Sequence, residues 1–403
     1  VIDDLPNIAD TVIIGGGIMG ASIAWQISQR LPGSTVVLER DLIAAGASGR
    51  TGALLRQHYT NIPEATLASR SLTIFREWSA VVGGSCGFTE SGLIVTIPTL
   101  DGFEDNTPRL EHVTRQLQSI GVAIELVDAG QLAEIDPAAR FDDIGLATYE
   151  PKSGYVDAIA ATRSMAQAAA QAGATVCEGV GAVELVASAS KIIGVRTTHG
   201  VIATERVMIA AGPWSTSLAD GIGIDLPIST QRVQVAIFQT PATMPASARS
   251  YVDNVAAVFC RPWGVGRTMV GLGGGEVHDE VDPDDFEHRN NPSFVELAKT
   301  SMAQRFPGFP QAKYLHGHAG LYDMTPDGHP IIGPTGLDGL WIAAGFSGAG
   351  FKKGPAVGMM IAGALAGDPD EQSLLGHFRL DRDWTTPWSA FEYRLAHDFG
   401  HGF

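Results

Sequence analysis

The chain has 403 residues, 45% hydrophobic and 18% charged, enough to bury a substantial core and to divide into two domains. Its 27 basic and 44 acidic side chains leave a formal charge of −17, which repels nucleic-acid phosphates and anionic lipid and excludes both as natural partners. Cys86, Cys177 and Cys260 form no CxxC pair and no basic segment leads an apolar core at the N-terminus, so the expectation is reduced thiols, a cytoplasmic location and no integral membrane segment.

The first predicted unit is a dinucleotide cradle. The apolar run Thr11-Val-Ile-Ile14 leads into Gly15-Gly16-Gly17-Ile18-Met19-Gly20, a helical stretch follows, and Val36-Val37-Leu38 ends in Glu39. Gly15 permits a tight turn, Gly17 lets backbone approach a pyrophosphate, and Gly20 lets the helix pack close to the strand. The helix N-terminus offers N–H groups and partial positive charge to the phosphates. Glu39, roughly 20 positions further on, suits a ribose 2′-OH and repels a 2′-phosphate, which argues against NADP.

A Gly/Ala/Ser-rich loop, Ala44–Gly52, precedes a helix predicted over Pro63–Val82, where Leu67, Ile74, Phe75, Trp78, Val81 and Val82 fall near helical spacing. Leu93–Ile97 reads as a strand, and Asn106–Ile120 and Gly130–Ile135 as short helices. Asp157 is placed to N-cap an alanine-rich helix over Ala158–Ala172. A strand starts at Thr175, a meander is expected around Gly194 and Gly200, and Arg206–Ala210 leads to Ala211-Gly212-Pro213-Trp214. Strands are predicted at Val233–Phe238, Val258–Cys260 and Met269–Leu272, an acidic loop at Glu276–Asp285 and a helix at Ser293–Arg305. His316 and His318 alternate in a strand-like run with no third ligand near, so no metal site is expected. Pro326-Asp327-Gly328 signals a turn, Leu340–Ala344 a strand, Gly345–Gly350 a glycine loop and Pro355–Ala366 a helix. The pattern predicts an α/β (α+β) fold. A Rossmann-like cofactor domain takes residues 1–90, 146–225 and 316–403, and a β-sheet-rich substrate domain is inserted as 91–145 and 226–315.

The glycine fingerprint serves NAD and FAD equally, since both carry an ADP half. The C-terminal loop favours flavin: its glycines admit a planar ring, and a helix N-terminus beside Lys352 and Lys353 would stabilise the negative charge of a reduced flavin. The alternative for this loop is a helix cap beside two solvated lysines.

Together, GGGIMG with Glu39, Ser48-Gly49-Arg50, Gly154-Tyr-Val-Asp157, AAGPWS at 210–215, TPDGHPIIGP at 325–334 and GFSGAGFKKGP at 345–355 resemble the D-amino-acid oxidase superfamily of FAD enzymes. The likeness is to the glycine oxidase and sarcosine oxidase branch, and within it to the β subunits of heteromeric sarcosine oxidases. It implies oxidation of the C–N bond of an amino acid or N-alkyl amino acid: a hydride leaves the carbon beside the amine for flavin N5, and water hydrolyses the imine. The alternatives are an FAD-dependent 2-hydroxy-acid oxidoreductase, or a flavin-carrying subunit of a heteromeric amine dehydrogenase. The electron acceptor is O2 or a redox partner.

Motif and resemblance together give a predicted cofactor wall of Gly15, Gly17, Ile18, Met19, Gly20, Glu39, Arg40, Ala47, Ser48, Arg50, Thr51, Gly52, Leu54, Val183, Ala211, Gly212 and Trp214, completed by Gly345, Phe346, Ser347, Gly348, Gly350, Phe351 and Lys352. The resemblance implies that Arg56 and Lys352 hold the substrate carboxylate, a bidentate guanidinium beside a point charge. A phosphate or structural ion-pair role is the alternative for Arg56. Tyr322 would face the flavin from the substrate side, and Tyr59 and His58 would line the entrance. Three departures stand out. Gly320 occupies the place of a flavin-attaching cysteine and no histidine stands near Thr51-Gly52-Ala53, so FAD is expected to be non-covalent. Arg267–Gly271 carries no lysine of the kind that promotes reaction with O2 in sarcosine oxidases, which weakens an oxidase reading and leaves room for a dehydrogenase that passes electrons to another acceptor. Gly273, Gly274 and Gly275 imply a pocket roomier than sarcosine needs.

Overall fold

The computed structural model describes residues 5–244, 247–273 and 279–395. A six-stranded sheet runs in the order Ile331–Pro334, Leu340–Ala344, Val207–Ile209, Thr11–Ile14, Thr35–Glu39, Thr175–Glu178. All neighbours are parallel except Ile331–Pro334, which pairs antiparallel at one edge. Thr11–Ile14 and Val36–Leu38 are continuous apolar runs because both faces are covered. Ile13 and Val37 pack with the helices Ile18–Arg30, Ala158–Gln171 and Gly354–Leu365. Val12, Ile14, Val36 and Leu38 pack on the other face against the meander Ala182–Ala187, Ile192–Thr197, Gly200–Ala203.

A second sheet has nine strands. Its order is Asp279–Glu280, Ser229–Gln239, Arg267–Leu272, Val258–Pro262, Ser250–Asp253, Leu93–Thr96, Leu146–Glu150, Glu125–Asp128, with Lys313–Met324 also pairing Ser229–Gln239. Helices Ala129–Ile135 and Pro292–Arg305 cover one face, burying Leu132, Phe294, Val295, Ala298 and Met302 against Ala236, Val258 and Val270. On that face Arg305 is ion-paired to Asp253 and Asp143, 2.7 Å each.

The boundaries expected from sequence shift in two places. Leu146–Glu150 pairs with Leu93–Thr96, and Lys313–Met324 pairs with Ser229–Gln239 along eleven register partners. Both segments therefore belong to the strand-rich layer, not to the cofactor domain expected at 146–225 and 316–403. Long-range pairing decides this, and a segment's own composition does not reveal its partner. The helix predicted over Pro63–Val82 is interrupted: Ile62–Arg76 ends at Glu77 and a single turn, Trp78–Val81, follows. Asp157 caps Ala158–Gln171 as expected, its side chain accepting from Ala160 N at 3.0 Å.

Candidate functional site

The carboxyl ends of the parallel strands Thr11–Ile14, Val207–Ile209 and Leu340–Ala344 open on one edge, where ligands of such sheets bind. A cleft of about 650 Å³ lies there. Among the predicted cofactor residues it is lined by Gly15, Gly17, Ile18, Met19, Glu39, Arg40, Ala47, Ser48, Arg50, Thr51, Val183, Ala211, Gly212, Trp214, Phe346, Gly348, Gly350 and Phe351, and Tyr322 also lines it. The first and last glycine loops thus meet across one space.

The cradle needs its glycines. A Cβ at Gly15, where φ is +113°, would sit 2.4 Å from Ala210 O, and one at Gly20 would sit 1.9 Å from Gly15 O. Both obstacles are backbone and cannot swing aside. Gly20 accordingly serves helix packing and does not line the cleft. Ser48 Oγ accepts from Ile18 N at 3.0 Å, pinning the loop over the helix N-terminus. Glu39 Oε2 accepts from Gly16 N at 2.7 Å, which holds the acid at the mouth of the turn.

The strand-rich layer closes the other side, and sequence reasoning missed this contribution. Pro283, Asp284, Phe286 and His288 line the cleft from the acidic loop. Asp284 Oδ1 accepts from Arg40 and from Trp214 Nε1, 2.8 Å each, while the Arg40 guanidinium lies 4.2 Å over the Trp214 ring. Arg50 reaches His288 Nδ1 at 2.7 Å and donates to Ala319 O at 3.1 Å. Only the charge run in the sequence hinted at this loop.

Five further predicted cofactor residues, Gly52, Leu54, Gly345, Ser347 and Lys352, do not line the cleft. Gly345 takes φ +71° and Ser347 φ +49°, and this loop is clasped by Asp323: its Oδ2 accepts from Gly345 N at 2.7 Å, and its backbone oxygen accepts from Ser347 N at 2.9 Å. Burial pushes the Asp323 carboxyl up to about 6. A Cβ at Gly52 would meet Met269 Cε at 2.9 Å, and Leu54 is buried in a short strand paired with Tyr155. Gly320 lines the cleft, where a Cβ would come within 3.2 Å of Arg50 Cβ.

Beside the Tyr322 end sits a buried cationic cluster. The Tyr59 ring, 1% exposed, has the Arg56 guanidinium 4.5 Å and the Lys353 ammonium 4.1 Å from its centre. Lys353 is committed elsewhere: it pairs with Glu64, whose other oxygen meets His329 Nδ1 at 2.5 Å and Asn61 Nδ2 at 2.9 Å. Burial opposes ionisation of Glu64, yet Lys353 and His329 hold its carboxyl far below the usual range. Lys352 has no such carboxylate among the described residues. Burial, with Arg56 and Lys353 nearby, lowers its ammonium to about 8, partly offset by Tyr59. Tyr59 is also brought to about 8, because Lys352, Lys353 and Arg56 outweigh its burial. The two lysines, equivalent in sequence, therefore divide: Lys353 is structural and Lys352 faces the cationic cluster.

His58 is not an entrance residue. It is fully buried, with Nδ1 2.8 Å from Thr148 Oγ1 and Nε2 2.7 Å from Tyr393 OH on the C-terminal segment. Burial, reinforced by Arg56, presses it down to about 3, so it stays neutral. Tyr59 is likewise internal. His316 and His318 lie in Lys313–Met324, where His318 Nε2 meets Arg50 O at 3.0 Å. Gly274 and Gly275 lie outside the described residues, whereas Gly273 N donates to Ala257 O.

A model of the FAD dependent oxidoreductase family, DAO, matches residues 10–364. The chain belongs to this family. Its cofactor is FAD, and the cleft suits it: Gly15, Gly17 and the start of the helix at Ile18 line the wall, where a pyrophosphate would meet backbone and the helix N-terminus. The enzyme is 25% identical over 380 residues to "Sarcosine oxidase subunit beta" of an Arthrobacter species, covering 93% of this chain and 90% of that one. It is 25% identical to the "Glycine oxidase" of Geobacillus kaustophilus (strain HTA426), covering 88% and 92%. Among solved structures, the L-proline dehydrogenase from P. horikoshii superposes with a TM-score of 0.83 at 25% identity, covering 93% of this chain and 98% of that one. The flavoenzyme is thus an oxidoreductase of the kind that acts on CH–NH or CH–NH2 donors. No helix among the described residues is long and apolar enough to cross a membrane.

Proposed function

We propose that this flavoenzyme oxidises the C–N bond of an amino acid or N-alkyl amino acid whose carboxylate is held by Arg56 and Lys352. The observation that carries this reading is the cationic cluster at the Tyr322 end of the cleft. Arg56 and Lys352 converge on Tyr59 there, while Glu64, the carboxylate paired with Lys353, is also bonded to His329. A carboxylate entering this cluster would meet two cations at once, and charge-assisted hydrogen bonds to them offset the water it gives up.

Bound FAD would supply the hydride acceptor at N5, after which the imine hydrolyses in water. The residues of the chain orient and exclude solvent. Arg56 is 6% exposed, so a carboxylate reaching it gives up its water and gains a charge-assisted bond in return. Tyr322, raised to about 12 by burial, remains a neutral phenol at the cleft wall. No strong base is required where the neutral amine is the form bound. The flavin is held without a covalent link, Gly320 offering no thiol. The likeness to a sarcosine oxidase β subunit supports assembly with further chains.

Anaerobic mixing with a panel of amino acids, N-alkyl amino acids and 2-hydroxy acids tests the reading. Bleaching of the flavin by amines is expected. Bleaching only by hydroxy acids refutes it, and bleaching only after a partner chain is added assigns the protein to a heteromeric enzyme. Reoxidation in air then distinguishes O2 from another acceptor.

A further inference from the structure

The strand-rich sheet turns one face to the cleft, and that face carries a cation the proposed function does not use. Gly320, Tyr322 and Val233 line the cleft. Directly opposed residues of neighbouring strands share a face, as do residues two apart along a strand. Val233 opposes Gly320, so Val235 and Ile237 continue the cleft face along their strand. Val235 opposes Gly271 and Ile237 opposes Met269; Gly271 in turn opposes Phe259, and Met269 opposes Arg261. Arg261 therefore stands on the same face as Tyr322, three strands away.

Its surroundings are unlike those of Arg305, Arg382 and Arg232. Arg305 pairs with Asp253 and Asp143, Arg382 with Asp327, and Arg232 approaches Asp279. Arg261 is 5% exposed and pairs with no carboxylate among the described residues. Nε donates to Gly52 O at 2.7 Å and Nη1 to Pro262 O at 3.0 Å, while the rings of Tyr155 and Trp263 lie 4.3 and 4.6 Å from the guanidinium carbon. Nη2 donates to no described group. Burial pulls Arg261 down to about 10; Asp157, whose field reaches it, is exposed and occupied in capping a helix. Two backbone oxygens and two rings orient the guanidinium without neutralising it.

The geometry points to Arg261 as a second anion anchor of the active site, so that the preferred substrates are amino acids or N-alkyl amino acids bearing a second carboxylate. This rests on the proposed function, in which Arg56 and Lys352 take the first. The two anchors flank one segment: Arg261 binds Gly52 O, and Arg56 lies four residues on, at most about 14 Å of extended chain. Arg56 and Arg261 are buried to a similar degree, 6% and 5% exposed, and Gly52, which Arg261 binds, follows Thr51 of the cleft wall.

Unreactive acids isolate binding from turnover. The FAD-loaded protein is titrated with succinate, glutarate and adipate, and with butyrate, pentanoate and hexanoate, following the flavin visible spectrum and the thermal midpoint. At least one dicarboxylate should bind about ten-fold or more tightly than its monocarboxylate of equal length. In Arg261→Gln that ratio should fall to near one, and Arg261→Lys should restore part of it. Equal binding of the two series by the wild type overturns the second anchor and leaves the first intact. An undiminished ratio in Arg261→Gln also overturns it. Binding of neither series overturns both anchors. The wild-type comparison stands even where a variant fails to fold.

Discussion

Replacing Lys352 by Met removes the ammonium and keeps most of its aliphatic bulk. Lys352 sits beside Tyr59, Arg56 and Lys353, and its titration near pH 8 reflects burial first and the neighbouring cations second. The sign follows directly. Burial lowers the folded value from 10.5 to about 8, so the ammonium is present below pH 8 and lost above it. Tyr59 is brought to the same range with Lys352 as the largest lowering influence, so a proton lost from either group near pH 8 lowers the net charge of the cluster by one, and without Lys352 the Tyr59 phenol rises out of that range. A carboxylate bound by charge-assisted hydrogen bonding gains roughly 1.5–3 kcal/mol from such a cation, which is about 10- to 150-fold in affinity. The assay is spectral titration with butyrate from pH 6 to 10. Wild-type affinity should hold to about pH 7 and fall above 8, whereas Lys352→Met should be weaker throughout and nearly flat. Wild-type affinity with an unchanged pH dependence in Lys352→Met would refute the assignment of the first anchor.

Glu64→Gln strands the Lys353 charge in the core and should cost on the order of 3–5 kcal/mol in chemical denaturation; a loss under about 1 kcal/mol would mean the Lys353–Glu64–His329 network is not what joins the helix Ile62–Arg76 to the last glycine loop. Gly20→Ala should yield colourless protein, because its Cβ would lie 1.9 Å from Gly15 O, and full flavin content after purification would contradict the packing role. His58, held near 3 against 6.5 when exposed, makes the unfolded chain take up a proton that the folded one refuses, so stability should fall as pH drops below 6.5. In His58→Gln the acid limb of the stability curve should be shallower by up to one proton; an identical limb would show that His58 does not contribute.

What could be read from the sequence was local. The turn at Gly15, the helix after it and the acid at Glu39 are set by neighbours within one βαβ unit, and the structure keeps that order. Asp157 found its cap for the same reason. Features set by distant partners stayed hidden. His58 is buried by Thr148, 90 positions away, and by Tyr393, 335 positions away, so its solvent-facing role in the sequence reading has no counterpart. Lys352 and Lys353 are told apart only by Glu64, 289 positions from Lys353. The layer boundaries moved because Leu146–Glu150 and Lys313–Met324 find partners in other segments. Arg261 lies just past the strand predicted at Val258–Cys260 and drew no reading, and its lack of a carboxylate partner among the described residues emerges only once the fold is in place.

The most direct test of the account is a crystal structure of the FAD-loaded protein with butyrate bound. The carboxylate oxygens should lie within hydrogen-bond distance of the Arg56 guanidinium and the Lys352 ammonium, with the alkyl chain against the flavin. A carboxylate resting anywhere else in the cleft, with Arg56 and Lys352 untouched, would contradict the account.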